Sequence, residues 1–460
     1  MSDRERLARE VRTADALCLT QLHTLFEPVL PSWLVTFKTS RGPNSRHGIY
    51  TTLVAFWAFL SQVLDADGSC RRAVTRVQTL CCALKLRLPD EDTGAYCTAR
   101  ARLPIRVLIK VFYFIAARLS RRPCQGRRMV VMDGTSIRMP DSPSNGADYS
   151  YTPNQKPGCG FPLMQLLGLF DLNTGAWLAV VKSKSKAHDA RLAWRMLKHL
   201  CAGDILLADR AFCSYGFIAV CKARGIDVVM RLHQRRDPQL DKAKRLSAHD
   251  WLMHWTRPQQ CPKGQHPASH ARAPLSLPMR LVDLQIHNPG FRSSQTFIVT
   301  TLLDACQHDA TQIAAWYLRR WQVELYFDDI KTSLGMDMLR CKSPHMIARE
   351  LLMHMIAYNL VRYLMLRAEA FRPLETKNAL SFKGSVDRLD QWLWALWSAP
   401  TEKQAKQRRD ELLQTIANDE VLRRPGRKQP RVVKSRQNKF TFMTKPRHLY
   451  TRADDLAHAA

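Results

Sequence analysis

The stretch from Thr311 to Leu334 constrains the fold more than any other part of this sequence. It contains no proline or glycine, and its apolar residues recur at helical spacing, so it predicts one continuous helix. At about 100° per residue, an apolar stripe carries Trp316, Val323, Ile330 and Leu334. The neighbouring face carries Tyr317, Arg320, Glu324, Asp328 and Lys331. Such a face is either a solvated surface with ordinary i,i+4 ion pairs or part of a functional site.

The spacing of four of these polar residues favours the functional site. The pattern Tyr-x2-Arg-x3-Glu-x6-Lys, at 317, 320, 324 and 331, resembles the signature of transposases of the insertion-sequence-four group. Those enzymes are DDE recombinases with a ribonuclease H-like catalytic core, so the resemblance implies such a core here. It also implies two further aspartates upstream of Glu324, each at the end of a strand.

Two short apolar runs earlier in the chain each end in an aspartate. Met129–Met132 leads to Asp133, followed by a glycine that would allow a tight turn, and Ile205–Ala208 leads to Asp209. Neighbouring strands lie about 5 Å apart, so acids at their ends converge. Alone, each aspartate is better explained as a strand-end cap or a turn residue. The two acids in this order, with the helix signature last, favour a catalytic triad completed by Glu324.

Three carboxylates of this kind suit divalent magnesium, which prefers oxygen ligands. Two Mg²⁺ ions about 3.5–4 Å apart can flank an in-line phosphoryl displacement. One ion activates water or a 3′-hydroxyl, and the other stabilises the leaving oxygen. We therefore expect Asp133, Asp209 and Glu324 to be both catalytic residues and ligands of two Mg²⁺ ions, for which Mn²⁺ can substitute.

Basic and aromatic residues around the triad are expected to contact DNA. Arg320 and Lys331 can hold phosphates through charge-assisted hydrogen bonds, and the Tyr317 hydroxyl can donate to another. The resemblance assigns these three residues to phosphates on the 5′ side of the transposon end. The further expected DNA contacts are Arg210, Arg100 and Arg102. A base-stacking aromatic has no clear match, and core packing is the favoured explanation for Phe297, Trp251 and Trp255.

The order of the remaining elements predicts an α/β protein. The N-terminal helices cover Tyr50–Leu64, Arg71–Leu86 and Gly94–Leu103, the last capped by Thr93; the last two are compatible with a helix-turn-helix. A hairpin over Leu163–Phe170 and Trp177–Lys182 follows the first apolar run. A helix, the second apolar run, a helix and a strand then cover His188–Cys201, Asp204–Asp209, Cys213–Ala223 and Gly225–Leu232. Periodicity supports only the α/β class, and the resemblance supplies the ribonuclease H-like core.

Four regions are expected along the chain. Residues 1–125 form a helical, DNA-binding N-terminal domain, and residues 126–345 form the catalytic core. A β-rich insertion at about 233–300, with a hairpin over Met279–Ile286 and Thr296–Leu303, interrupts that core. Residues 346–420 are helical. Residues 421–460 form a flexible basic tail, since 421–447 hold ten Arg or Lys and no acid.

Composition supports a nucleic-acid-binding protein in a reducing compartment. The net charge of +30 indicates a polyanionic partner. The thirteen cysteines are odd in number and form no Cys-x-x-Cys pair, which is typical of free thiols. The longest apolar runs, Thr51–Leu64 and Val107–Leu119, fall short of the ~18 residues that a membrane span needs. We expect a cytoplasmic, nucleoid-associated protein.

The resemblance implies a transposase that binds the terminal inverted repeats of its insertion sequence. It would cleave DNA strands and join the 3′ ends to target DNA, as a homodimer in a synaptic complex, through a hairpin intermediate and without ATP. Two alternatives stay open: a ribonuclease H-like nuclease, which would not need the insertion, and a catalytically inactive transposase-derived DNA-binding protein. An intact triad argues against the second.

Overall fold

A computed structural model gives the fold of most of the chain. It describes residues 5, 9–11, 13, 25–37, 48–120, 126–151, 160–184, 189–234, 236–261, 265, 267–285, 295–373, 378–397, 399, 401–421 and 449. The predicted tail, apart from residues 421 and 449, and the turn at Asn288-Pro-Gly290 lie outside these residues.

Helices occupy the described part of the N-terminal region. They are α1 (Trp33–Thr36), α2 (Thr52–Leu64), α3 (Cys70–Ala83), α4 (Gly94–Arg102) and α5 (Ile105–Leu119). The apolar helix predicted from Tyr50 is confirmed, because every residue of α2 after Thr52 is buried. The side chain of Thr51 caps α2 by accepting from the amide of Val54 at 3.2 Å. The predicted cap of α4 was wrong: Thr93 has an αR backbone and makes no side-chain capping bond.

In the part of the chain that the structure describes, nine strands form one sheet in the order β3-β2-β1-β4-β5-β9-β8-β7-β6. The strands are β1 (Met129–Arg138), β2 (Leu163–Asp171), β3 (Trp177–Ser183), β4 (Ile205–Ala208), β5 (Asp227–Arg231), β6 (Lys244–Ser247), β7 (Asp250–Thr256), β8 (Ser276–Gln285) and β9 (Gln295–Thr300). Short helices α6 (Pro143–Asp148), α7 (Asp189–Met196), α8 (Tyr215–Ala223) and α9 (Pro267–Ala271) lie between them in the chain. Strands β1, β4 and β5 are parallel, whereas β1 and β2 are antiparallel. The chain is therefore a mixed α/β protein, as predicted.

The region expected to interrupt the core extends the sheet. The predicted hairpin is confirmed as the antiparallel pair β8–β9. Strand β9 also pairs with β5, from Val229↔Thr300 to Arg231↔Ile298, so the hairpin continues the same sheet. Strands β6 and β7, which the sequence analysis did not predict, add the outer edge.

The signature helix is broken, so the prediction of one continuous helix was wrong. Helix α10 (Ala310–Arg319) ends before Arg320, and α11 (Gln322–Asp328) begins after a tight turn. Within the break the amide of Arg320 donates to the Tyr317 carbonyl at 2.9 Å, and that of Val323 donates to the Arg320 carbonyl at 3.1 Å. These bonds span three residues rather than four, as in a 3₁₀ turn. The break contains no proline or glycine. The residue at the break is Arg320, and its side chain is buried.

A π-helical turn over Asp329–Ser333 follows α11 directly. The amide of Leu334 donates to the carbonyl of Asp329 at 3.2 Å, a bond across five residues. The spacing of 100° per residue, from which Lys331 was assigned to the face of Glu324, therefore does not apply between these two residues.

Three helices complete the described chain: α12 (Pro344–Ala368), α13 (Phe382–Trp397) and α14 (Glu402–Ala417). Helix α12 is 25 residues long and buried over most of its circumference, since it packs against α2, α5, α13 and α14. No helix in the described part of the chain is long and apolar enough to cross a membrane.

The chain divides into two units. One comprises Met1–Arg121, Thr174–Trp177 and Tyr326–Arg423, with α12 in its core. The other comprises Arg122–Asn173, Leu178–Leu325 and Arg424–Ala460, and contains most of the sheet together with α10 and the start of α11.

Candidate active site

Two predicted acids lie side by side on neighbouring parallel strands. The register between β1 and β4 ends at Met132↔Ala208, so Asp133 and Asp209 are the next residues of the two strands. Strands in a sheet lie about 5 Å apart, which brings the two carboxylates to one location. Asp209 directly follows the last residue of β4, at the end of the strand as predicted, and precedes a 3₁₀ turn over Arg210–Phe212.

Asp133 lies in the middle of a strand, contrary to the prediction that it ends one. Strand β1 continues for five residues beyond it, because β2 pairs with β1 along its whole length as far as Arg138↔Leu163. Gly134 therefore makes no tight turn. Its amide donates to Oδ1 of Asp133 at 2.8 Å. The other carboxylate oxygen, Oδ2, faces Arg320.

The side chain of Arg320 connects two of the three predicted acids. Its Nη1 lies 3.5 Å from Oδ2 of Asp133, and its Nη2 lies 3.5 Å from Oε1 of Glu324. The Arg320 side chain is 7% exposed, whereas the Glu324 side chain is 64% exposed. The Nε of Arg320 is buried without a hydrogen-bond partner. Glu324 is thus joined to Asp133 through a buried cation.

Tyr317 completes the group from the last turns of α10. Its side chain is buried, and the Arg320 guanidinium carbon lies 5.9 Å from the centre of its ring. Burial raises the pKa of Tyr317 to about 12, so at neutral pH the hydroxyl is protonated. It can therefore donate a hydrogen bond but carries no charge.

Burial also has the largest effect on the pKa of Asp133, the acid within β1. It raises the pKa of Asp133 to about 6. The Gly134 amide and the Arg320 guanidinium oppose this shift, while Asp209 and Glu324 add to it. For Arg320, burial acts to lower the pKa, but Tyr317 and the three acids outweigh it and the net pKa is raised. At neutral pH, Asp133 is therefore ionised but poorly solvated, and Arg320 is a fixed positive charge.

The donor set suits a hard divalent cation, because all three acids offer carboxylate oxygens. The raised pKa of Asp133 indicates a buried carboxylate that one Arg320 contact at 3.5 Å does not fully compensate. Among the described residues, no group of three or more His, Cys, Asp or Glu is arranged to hold a metal ion. Asp133 and Glu324 share the Arg320 guanidinium, and Asp209 lies beside Asp133 in the strand register.

The fourth signature residue belongs to the other unit. Lys331 is half-buried in the π-helical turn, and its neighbour Asp329 pairs with Arg362 at 2.6 Å. Asp328, another residue of the predicted polar face, accepts a hydrogen bond from the Thr332 hydroxyl at 2.8 Å.

The predicted arginines outside the signature differ in accessibility. Arg210 is half-exposed, and its Nη1 donates to Oε1 of Gln234 at 2.6 Å. Arg102 is exposed at the end of α4. Arg100 is buried: its guanidinium donates to Gln62 at 2.9 Å and lies over the ring of Phe59 at 4.9 Å. A guanidinium packed in this way cannot reach a phosphate, so the expectation of a DNA contact at Arg100 is corrected.

The aromatic residues considered for base stacking pack among protein groups. Trp255 is buried, with the Arg236 guanidinium 4.0 Å above its ring. Trp251 and Phe297 are half-buried and in contact with each other, with ring centres 6.5 Å apart. These contacts agree with the expectation that core packing explains all three.

Sequence reasoning missed one buried charged residue, which lies in the outer part of the sheet. Arg280, in the middle of β8, is fully buried and makes a bidentate pair with Asp250 of β7. Its Nη1 also donates to the carbonyl of His308 at 2.5 Å, next to the residue that caps α10. The signal was available in the sequence, because Arg280 lies between the apolar residues Met279 and Leu281.

Comparison with known proteins gives a consistent result. The family described as "Transposase DDE domain" matches residues 125–360. The transposase InsG of insertion sequence element IS4 from Escherichia coli strain K12 is 24% identical over 396 residues, which are 84% of this chain and 85% of that protein. A piggyBac transposase, in a cryo-EM structure of its synaptic complex with hairpin DNA, is similar with a TM-score of 0.43 and 13% identity. That similarity covers 90% of this chain and 86% of the other.

Proposed function

Because the chain belongs to the DDE transposases of the insertion-sequence-four group, we propose that it binds the terminal inverted repeats of its own element, cleaves DNA there and joins the 3′ ends to target DNA. Asp133, Asp209 and Glu324 are the proposed catalytic residues. The observation that carries this assignment is the register of β1 and β4, which makes Asp133 and Asp209 neighbours on parallel strands. The contacts of Arg320 with both Asp133 and Glu324 support the third member.

The proposed core is ribonuclease H-like. Support comes from the chain order β1, β2, β3, α7, β4, α8, β5 and from the strand order β3-β2-β1-β4-β5. In this arrangement the antiparallel neighbour β2, with β3 beyond it, lies on one side of β1, and the parallel strands β4 and β5 lie on the other. Residues 233–300 are proposed as the insertion that distinguishes this group.

Two Mg²⁺ ions, or Mn²⁺ in their place, are proposed to bind Asp133, Asp209 and Glu324. Divalent ions at such a site supply a hydroxide or alkoxide nucleophile and stabilise the leaving oxygen. The protein's own contribution is to hold two carboxylates in register and to exclude water around Asp133, which strengthens the electrostatic interactions there.

Arg320 and Tyr317 are proposed to hold DNA phosphates beside the carboxylates. Tyr317 is protonated at neutral pH and can donate to a phosphate oxygen. The contacts of Arg320 with the acids are long, at 3.5 Å, so its donors are not committed to short bonds. Lys331, Arg210 and the exposed Arg102 are proposed as further phosphate contacts.

The remaining regions have proposed roles as well. Residues 1–125 are proposed to recognise the inverted repeats, 346–420 to form a helical C-terminal region, and 421–460 to bind DNA non-specifically. A homodimer is proposed to bridge two transposon ends in the cytoplasm, at the nucleoid. The net charge of +30 supports association of the protein with DNA.

The test separates binding from chemistry. Asp133→Asn, Asp209→Asn and Glu324→Gln should each retain the affinity for DNA carrying the element's ends and lose strand cleavage by at least about a hundredfold. Gel-shift and single-turnover cleavage assays measure the two properties. Asp148→Asn, which removes an exposed partner of Lys184, is the matched control and should leave both unchanged. Cleavage at the wild-type rate by any of the three would remove that residue from the active site.

A further inference from the structure

Two cysteines of the N-terminal helices contact each other. Cys70 is the first residue of α3, and Cys97 lies in the middle of α4. Their sulfur atoms are 3.8 Å apart, with the Cys97 thiol donating to Sγ of Cys70. Both residues are half-buried, whereas Cys81, Cys213, Cys221 and Cys341 are buried. Among the described cysteines, this pair therefore combines sulfur–sulfur contact with access for a small molecule.

The distance is close to what a disulfide requires. A disulfide bond is about 2.05 Å long, so the two sulfur atoms need to approach by a further 1.8 Å or so. Cys70 begins its helix next to the capping residue Ser69, so a small adjustment there disturbs only the helix terminus.

The surroundings make the two sulfurs chemically different. The side-chain amide of Gln62 donates to Sγ of Cys70 at 3.7 Å, so this sulfur accepts two hydrogen bonds. Burial raises the pKa of the Cys97 thiol, and the adjacent Cys70 adds to that effect while Arg100 opposes it. Cys97 thus keeps its proton and donates it, and Cys70 is the sulfur prepared to react first.

Gln62 also connects the pair to the cation beside it. Its carbonyl oxygen accepts from the Tyr96 hydroxyl at 2.6 Å and from Nη1 of Arg100 at 2.9 Å. Arg100 is thereby fixed one helical turn after Cys97. This positive charge opposes the rise in the pKa of the Cys97 thiol.

From this geometry we propose that Cys70 and Cys97 are a modification site that a peroxide oxidises to a disulfide. Hydrogen peroxide first oxidises the Cys70 thiol to a sulfenic acid and is itself reduced to water. The Cys97 sulfur then attacks the Cys70 sulfur, the S–O bond breaks, and a second water leaves with the remaining thiol proton. The product links α3 to α4 covalently, and a dithiol reductant restores both thiols.

The experiment uses the full-length protein and hydrogen peroxide. After oxidation and blocking of free thiols, tryptic digestion without reductant separates the relevant peptides. Cys70 lies in His47–Arg71, Cys97 in Leu88–Arg100, and Cys81 with Cys82 in Val77–Lys85. We expect the dominant cross-linked species to join the first two peptides and to disappear after reduction.

The controls test whether the folded geometry is responsible. Cys70→Ser and Cys97→Ser should each abolish this species, while Cys82→Ser, at an exposed position of α3, should leave it unchanged. Oxidation in urea should lose the preference for this pair. A digest of the native protein in which the exposed Cys82 or Cys201 is oxidised but Cys70 and Cys97 are not linked would overturn the proposal. Linkage of Cys70 to Cys341 instead would overturn it as well.

Discussion

Asp133 combines two properties that oppose each other: it is the proposed ligand of a cation, and it is an ionised group in a largely buried position. Its folded pKa of about 6 lies above the ordinary value of 3.8. Folding therefore favours the protonated form, and above pH 6 the buried carboxylate destabilises the protein in the absence of metal. The folded pKa of Asp133 exceeds its ordinary value by about 2, which corresponds to a loss of at most about 3 kcal/mol in the free energy of unfolding.

This difference predicts that removal of the charge stabilises the metal-free protein. Asp133→Asn should unfold at a higher temperature than the wild type at pH 8, by up to about 3 kcal/mol in free energy. The gain should shrink as the pH falls through 6 and vanish below 3.8, where the wild-type carboxyl is protonated in both states. Thermal unfolding of both proteins in EDTA across this pH range measures it. An equal or lower midpoint at pH 8 would show that burial of the carboxylate has no energetic cost.

The same pair of proteins reports on metal binding without any DNA. If the proposed site holds Mg²⁺ or Mn²⁺, the ion binds the folded state and not the unfolded chain, so either ion should raise the unfolding midpoint of the wild type. It should leave the midpoint of Asp133→Asn nearly unchanged. Asp148→Asn, the exposed control, should respond to the cations as the wild type does. An identical response from Asp133→Asn would place the bound cation elsewhere.

At the scale of elements, the sequence predicted the helices and strands that are determined by the apolar periodicity of their own residues. Helix α2 and the pair β8–β9 are examples. Their apolar residues are buried in the folded protein, and the spacing of those residues in the sequence indicates the type of element. The break at Arg320 has no local signal. It accompanies a buried guanidinium facing Asp133, which is 187 residues away in the chain. The extension of β1 past Asp133 likewise depends on pairing with β2, and the burial of Arg100 depends on Gln62 of another helix.

Arg280 is the residue that connects the outer strands to the signature helices. Its guanidinium pairs with Asp250 and donates to the carbonyl of His308, which precedes the cap of α10. Both members of the pair are buried, so loss of one leaves an uncompensated charge. We expect Arg280→Met to destabilise the protein by about 3–5 kcal/mol.

A double-mutant cycle tests this assignment. Asp250→Asn combined with Arg280→Met should recover part of the stability lost in Arg280→Met, because no buried charge then lacks a partner. Arg245→Met, at an exposed position of β6, is the control and should change stability by no more than about 0.5 kcal/mol. Denaturant unfolding measures all four variants. Additive effects in the cycle would mean that the two residues do not act as a pair.

At the scale of the whole molecule, the positive charge is the property that the sequence conveys most directly: Arg and Lys are spread throughout the chain, and one dense basic segment lies near the C-terminus. Residues 421–447 supply ten of the cations without any acid. Val421 itself is tied to the helical region, since its amide donates to the carbonyl of Ala379 at 2.7 Å beside the Leu380–Glu420 bridge. A truncation that ends at Val421 therefore keeps this connection and removes only the basic segment.

Such a truncation should weaken DNA binding and reduce its dependence on salt. Each phosphate contact contributes about −0.9 to the slope of log K against log salt concentration, so ten cations contribute at most about −9. We expect the slope of the truncated protein to be less negative by several such contacts, measured by fluorescence anisotropy on DNA of unrelated sequence. Full-length protein with these ten residues changed to glutamine is the matched control, because it keeps the length and removes the charge, and it should match the truncation. If the truncated protein kept the full slope, the phosphate contacts would have to come from the helices and the sheet, and the basic segment would have another role than holding DNA.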